Sequence, residues 1–183
     1  MKKNFLNWMT IAMMVLVCVG FTACGSDDDD NGGGGSKSTT IDGKSYGLGY
    51  GFWSAAYGNL YLEFSNVDLP NLKSAPSQVD VLALSIKTGS NVTGVVTGTF
   101  DAEATFFSMK YDPNKTTFGA AAEGDVKVTI SKNGSNYVVT IPQTTIYAID
   151  PESGDSEVGK VPFSFNYTGS IVYYEDMMEE GVK

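Results

Sequence analysis

The 183-residue chain contains no histidine, no arginine and only two cysteines. Without histidine, neither a Ser-His-Asp or Cys-His catalytic constellation nor a histidine-bearing zinc site can be assembled. Without arginine, the planar fork that clamps phosphate or reads guanine is missing. All 12 basic residues are lysines, and they face 21 acids, for a net charge of -9. That balance repels polyanions, so nucleic acid is excluded as a partner. For acid–base chemistry only carboxylates, lysine and tyrosine remain.

What is present suits one folded domain. Hydrophobic residues make up 42% and aromatic residues 12%, enough for a packed core. The start has a different character. Met1-Lys2-Lys3 is basic and is followed by a mostly apolar run from Trp8 to Phe21. As a helix, such a run spans about 21 Å, short of the ~30 Å hydrocarbon core of a bilayer. Basic start, short apolar stretch and small residues form the layout of a signal peptide, over residues 1–23.

Phe21-Thr22-Ala23-Cys24-Gly25 resembles a bacterial lipobox, with Phe where Leu is commonest. The resemblance implies that Cys24 becomes the first mature residue, carrying a thioether-linked diacylglycerol and a third acyl chain on its amine. Two or more chains hold stably to a bilayer, so the implied partner is a membrane. A plain secretory signal with an incidental cysteine is the alternative. Cys18 lies within the apolar run and leaves with it. The mature chain then keeps no cysteine for a disulfide, and its charge is -11.

Residues 24–37 include Asp27-Asp28-Asp29-Asp30 and Gly32-Gly33-Gly34-Gly35. Their composition predicts a solvated, flexible tether with a reach on the order of 20 Å. An acidic cluster just behind a lipidated cysteine also resembles the export signal of Bacteroidetes-type lipoproteins, which face the cell exterior.

From Ser38 onward the pattern alternates with a period of two. Leu60, Leu62 and Phe64 share one face, as do Leu82, Leu84 and Ile86, and as do Phe163, Phe165 and Tyr167. That period is the mark of half-buried antiparallel strands. Asn133-Gly134 predicts a type I′ hairpin turn, which sets Ile130 opposite Tyr137, Val128 opposite Val139 and Val126 opposite Ile141. Gly169 marks a bend in a run too long for one strand, where the chain crosses between sheets. About nine or ten strands separated by turn clusters, with no repeat and no linker, predict one all-β domain over residues 38–183. A single antiparallel β-sandwich is expected, with a lipocalin-like or calycin-like barrel as the alternative.

Several segments resemble the small β-rich surface lipoproteins of Bacteroidetes: Thr40-Ile41-Asp42-Gly43-Lys44-Ser45-Tyr46, Gly98-Thr99-Phe100, Glu123-Gly124-Asp125-Val126-Lys127-Val128 and Tyr167-Thr168-Gly169-Ser170-Ile171. Members include adhesin-like modules and glycan-binding accessory proteins, so the resemblance implies an outer-membrane, surface-exposed location more than an activity.

The oddest segment is Tyr46-Gly47-Leu48-Gly49-Tyr50-Gly51-Phe52-Trp53. On a strand it puts four large side chains on one face and bare glycine on the other. Either an aromatic ring from an opposing layer covers the glycines, which is the favoured account, or a ligand approaches the main chain there, walled by Trp53, Tyr57 or Tyr61. Tyr173-Tyr174 points one ring to each face, leaving Tyr174 a further candidate for sugar stacking. Residues 150–157 hold four carboxylates, which a calcium ion can use, but their spacing departs from the EF-hand and favours a solvated loop. Asp42, Glu63, Asp80, Asp101 and Glu103 are the carboxylates available to a glycosidase pair, and no motif pairs them. The sequence therefore points to a non-catalytic surface module with no cofactor and no metal. Extracellular glycan is the expected partner. A protein-adhesion module or a carrier of a small apolar ligand are the alternatives.

Overall fold

The computed structural model describes residues 38–74, 76–110, 117–149 and 157–174. The tether with Cys24, residues 111–116, most of the acidic loop and the last nine residues lie outside them. Ten strands follow in order: β1 (Ser38–Ile41), β2 (Lys44–Tyr46), β3 (Tyr50–Ala56), β4 (Asn59–Ser65), β5 (Gln78–Lys87), β6 (Gly98–Lys110), β7 (Thr117–Asn133), β8 (Asn136–Ile149), β9 (Glu157–Gly169) and β10 (Ile171–Tyr173). The fold is all-β, as the alternation predicts. A single 3-10 turn, Leu69–Asn71, interrupts the β4–β5 connection.

All ten strands belong to one sheet, in the order β10-β3-β4-β5-β6-β7-β8-β9-β1-β2, curled into a half-barrel. The expected pair of stacked sheets is therefore replaced by the barrel-like alternative. From β3 to β9 the chain is a seven-strand antiparallel meander. An odd number of strands makes the first and last run the same way, so their contact has to be parallel. That contact exists: β10 continues β9 past Ser170 and pairs parallel with β3, Ile171 opposite Gly51 and Tyr173 opposite Trp53. Gly169 does mark the bend, but the chain crosses there between two flanks of one sheet.

The curl can be read from ring contacts. β4 and β9 stand five places apart, about 24 Å in a flat sheet at ~4.8 Å per strand. Yet Phe64 of β4 lies 4.7 Å from Phe165 and 4.8 Å from Tyr167 of β9, centroid to centroid. Tyr46 of β2 meets Phe106 of β6 at 4.7 Å, again across five places. The concave side therefore holds the main core, built from the alternating faces: Leu60, Leu62 and Phe64, then Leu82, Leu84 and Ile86, then Phe163, Phe165 and Tyr167.

Two local features differ from the sequence expectation. The hairpin turn is Gly134-Ser135, flanked by the Asn133–Asn136 pair, so Ile130 lies opposite Val139 and Lys132 opposite Tyr137. Only Gly134 has positive φ (62°), the signature of a type II′ turn with glycine first rather than the expected I′. The register moves by two residues, which leaves every side chain on its expected face because the side-chain period is also two. The second feature is Pro142. It has no N–H for the ladder, and between Ile141–Phe165 and Thr144–Phe163 the register slips by one. The inward face accordingly passes from Val139 and Ile141 to Ile146.

Candidate functional site

The segment from Tyr46 to Phe52 carries side chains to two different environments. Tyr46 and Leu48 pack into the concave core, whereas Tyr50 and Phe52 belong to a cluster on the convex side. The expected single face is broken because residues 47–49 leave the sheet between β2 and β3. The bare side of β3 at Gly51 is filled from within: the Tyr167 hydroxyl lies 2.9 Å from where a Gly51 Cβ would be. The opposing-ring account holds at Gly51, whereas a Cβ on Gly47 would meet nothing within 4 Å.

The convex cluster is covered by the β4–β5 connection. Asn66 clamps its two ends, accepting from Asp80 N at 2.9 Å and donating to the Gln78 carbonyl at 3.2 Å. Leu69 of the 3-10 turn then closes over Phe52, which is 1% exposed, with Val67 and Leu72 beside it. An apolar Leu69-Pro70-Asn71-Leu72 stretch within a connection was the sequence signal for this cover. Tyr174 meets Phe52 from the other side at 5.9 Å, ring to ring.

Of the four candidate ring residues, two come together here and two do not. Tyr61 and Tyr174 both pack against the convex Phe52–Leu69 cluster. Trp53 points the opposite way, half-buried against the concave core, and meets Tyr173 at 4.9 Å. Tyr173 itself is 55% exposed. Tyr57 stands apart at the tip of the β3–β4 hairpin, 81% exposed, in a type I′ turn with Gly58 (φ 53° and 75°). The 88–91 segment holds that turn: Thr88 N and Gly89 N donate to the Gly58 carbonyl, and Gly58 N donates to Asn91 Oδ1 at 2.9 Å.

Two polar side chains share the convex face of β3 and β4. Ser54 lies opposite Tyr61 and Glu63 lies opposite Phe52, with Ala83 on Glu63's other flank. Ser54 is 2% exposed, and its Oγ has no hydrogen-bond partner. Glu63 is half-buried, and burial alone pushes its carboxyl up to about 7. Its outward direction follows from the alternation with Leu62 and Phe64, but its desolvation does not, because burial depends on what the tertiary fold brings beside a residue.

The other carboxylates are engaged or remote. Asp80 accepts from Gln78 Nε2 at 2.8 and 3.0 Å and from Ser108 Oγ at 2.5 Å. Asp101 pairs with Lys127 at the surface, at 2.5 Å. Asp42 occupies the β1–β2 turn at positive φ. Glu103, opposite Ser85, stands two strands and one row from Glu63, on the order of 12 Å by sheet geometry. Among the described residues, no three metal-ligating side chains gather. No family model, curated protein or solved structure matches the chain.

Proposed function

We propose that this protein is a lipoprotein of the outer cell surface, anchored through Cys24, whose β-domain is a non-catalytic binding module for extracellular glycan. The observation that carries the reading is the convex face of β3 and β4, where the half-buried rings of Tyr61 and Tyr174 pack on one cluster and the half-buried Glu63 carboxyl lies two residues from Tyr61 on the same face. Sugars are bound by that combination: rings take the weakly apolar C–H faces, and fixed polar groups take the hydroxyls. The dispersed carboxylates favour binding over hydrolysis.

The two alternatives find less support. A carrier of an apolar ligand needs a lumen, and the rings of Phe64, Phe165 and Tyr167 touch across the concave side. A partner adding a strand needs a free edge, and β2 offers three residues, one of them a lysine, which blunts edge pairing.

Glycan-array screening of the mature chain with Cys24→Ser, beside Tyr61→Ala, Tyr174→Ala and Trp53→Ala, tests the reading. Binding lost with Tyr61 or Tyr174 supports it at the convex face, and binding lost only with Trp53 moves the site to the Trp53–Tyr173 pair. Silence at millimolar glycan, with capture of a protein partner, transfers the function to adhesion. Hydrolysis of a bound glycan overturns the non-catalytic assignment.

A further inference from the structure

We propose that the hairpin-tip end of the half-barrel docks on the headgroup region of the bilayer that holds Cys24. The membrane comes from the lipid-anchor reading, and the docking end comes from where rings and charges lie on the fold. In the antiparallel meander the β3–β4 tip, the 88–97 connection and the β7–β8 turn all fall at one end of the sheet.

Carboxylates are kept away from that end. Its strand ends and connections are residues 53–62, 84–100, 128–140 and 166–173. They carry two lysines, Lys87 and Lys132, and no acid, in a chain where acids outnumber lysines 21 to 12. Exposed apolar surface gathers there instead. Among the described residues four large apolar side chains are exposed, and Tyr57, Val172 and Tyr173 belong to these stretches. The fourth, Tyr147, is only 37% exposed and lies under the Lys160 ammonium. Val92, Val95 and Val96 of the 88–97 connection are half-buried on the core, so apolar surface continues across the end.

Tyr57 is held out for contact. Asn or Gly is the usual first residue of a type I′ turn, so a tyrosine at φ 53° is strained. Hydrogen bonds from the 88–91 segment keep it there: the Thr88 hydroxyl joins the Thr88 and Gly89 N–H groups in donating to the Gly58 carbonyl, and Asn91 accepts from Gly58 N. The ring therefore projects from a fixed tip. Lys132 lies over the Tyr137 ring at 5.2 Å, so cation and aromatic meet at this end as well. Tyrosine and tryptophan rings settle at headgroup level in a bilayer, and lysines beside them extend their ammonium groups toward phosphate.

The direction of the chain points to the same partner. Ser38 pairs with Asn166 and Ile41 with Phe163, so β1 runs away from the tip end and the chain before Ser38 arrives from its direction. Lys37 follows Cys24 by 13 residues, a tether whose composition gives a reach on the order of 20 Å. A domain held that close meets the surface at an effective concentration of about millimolar, so a weak ring contact is enough to keep this end down. The convex face of β3 and β4 then stays at the flank, open to a ligand arriving from outside the cell.

The test couples the mature chain through Cys24, its one cysteine, to a maleimide-bearing lipid in phosphatidylcholine vesicles that carry a headgroup nitroxide. Trp53 is the one tryptophan of the mature chain and reports from the tip end without any substitution. Its emission should be quenched by the nitroxide. In a Trp53→Phe background, Tyr57→Trp should be quenched and shifted to shorter wavelength, whereas Lys110→Trp, at the far end of the 13-residue β6, should be unaffected. Tyr57→Ser combined with Tyr173→Ser should abolish the quenching of Trp53. Tyr147→Ser should leave it unchanged, and thermal unfolding of both variants should stay cooperative. Silence at both Trp53 and Tyr57→Trp, or quenching confined to Lys110→Trp, overturns the inference. A shift that needs high surface density and brings no quenching assigns the end to a second copy and overturns it too. Absence of acyl chains on Cys24 in cells removes the anchor and the docking with it. Acylated Cys24 with silent reporters removes the docking alone.

Discussion

Tyr167 reaches across from β9 so that its hydroxyl lies 2.9 Å from the position a Cβ on Gly51 would take, and it donates to the Ser170 carbonyl at 2.5 Å. One side chain thus fills the bare patch of β3 and fastens the bend that brings β10 against the same strand. The same hydroxyl lies 2.7 Å from where a Gly169 Cβ would be. Burial pushes the phenol up to about 12.

Gly51→Ala should therefore destabilise the domain by about 1–3 kcal/mol, the usual cost of overpacking. In a Tyr167→Leu background, where the ring is absent, the added methyl should cost markedly less. Chemical unfolding of the four proteins in that cycle measures the coupling. Strictly additive costs would refute the contact.

The hairpin turn distinguishes its two neighbouring residues. Gly134→Val places a β-branched residue at φ 62° and should cost about 1–2 kcal/mol or more. Asn133→Val should be tolerated within about 0.5 kcal/mol, because Asn133 is the last strand residue, paired with Asn136. Thermal unfolding of both variants decides the turn type: a large loss at Asn133 would restore the type I′ assignment.

Glu63 makes stability depend on pH in an unusual direction. Its folded value, about 7, lies above the ordinary 4.5, so between those values the folded state holds the proton more tightly than the unfolded one. Stability should fall as pH rises from about 4.5 to 7 and then level off, by about 1–3 kcal/mol once partial exposure is allowed for. Glu63→Gln should remove that slope, gaining most over wild type at pH 8. Urea unfolding at pH 5 and pH 8 compares them. A slope that survives in the variant belongs to another group.

The proposed location rests on lipidation of Cys24. The membrane fraction should yield an N-terminal peptide bearing acyl chains, and Cys24→Ala should leave the protein unacylated. On intact cells, added protease should remove the domain. A mature product still beginning at Met1 would contradict the anchor, and protection from protease would contradict exposure.

What the sequence determined is local in origin. Side-chain direction repeats every two residues, so the inward faces of β4, β5 and β9 were legible without knowing what any strand pairs with. The bend at Gly169 was legible in the same way, from its own local composition. Register, sheet count and cover were not. A two-residue shift at Gly134 leaves the alternation intact, so the pattern cannot distinguish the two hairpins. One curled sheet and two stacked sheets bury the same alternating faces, and only the parallel closure of β10 on β3 separates them. The convex site depended on tertiary structure most of all. Glu63 reads as an ordinary outward carboxylate until the folded chain desolvates it, because desolvation belongs to whatever lies over a residue and not to the residue itself.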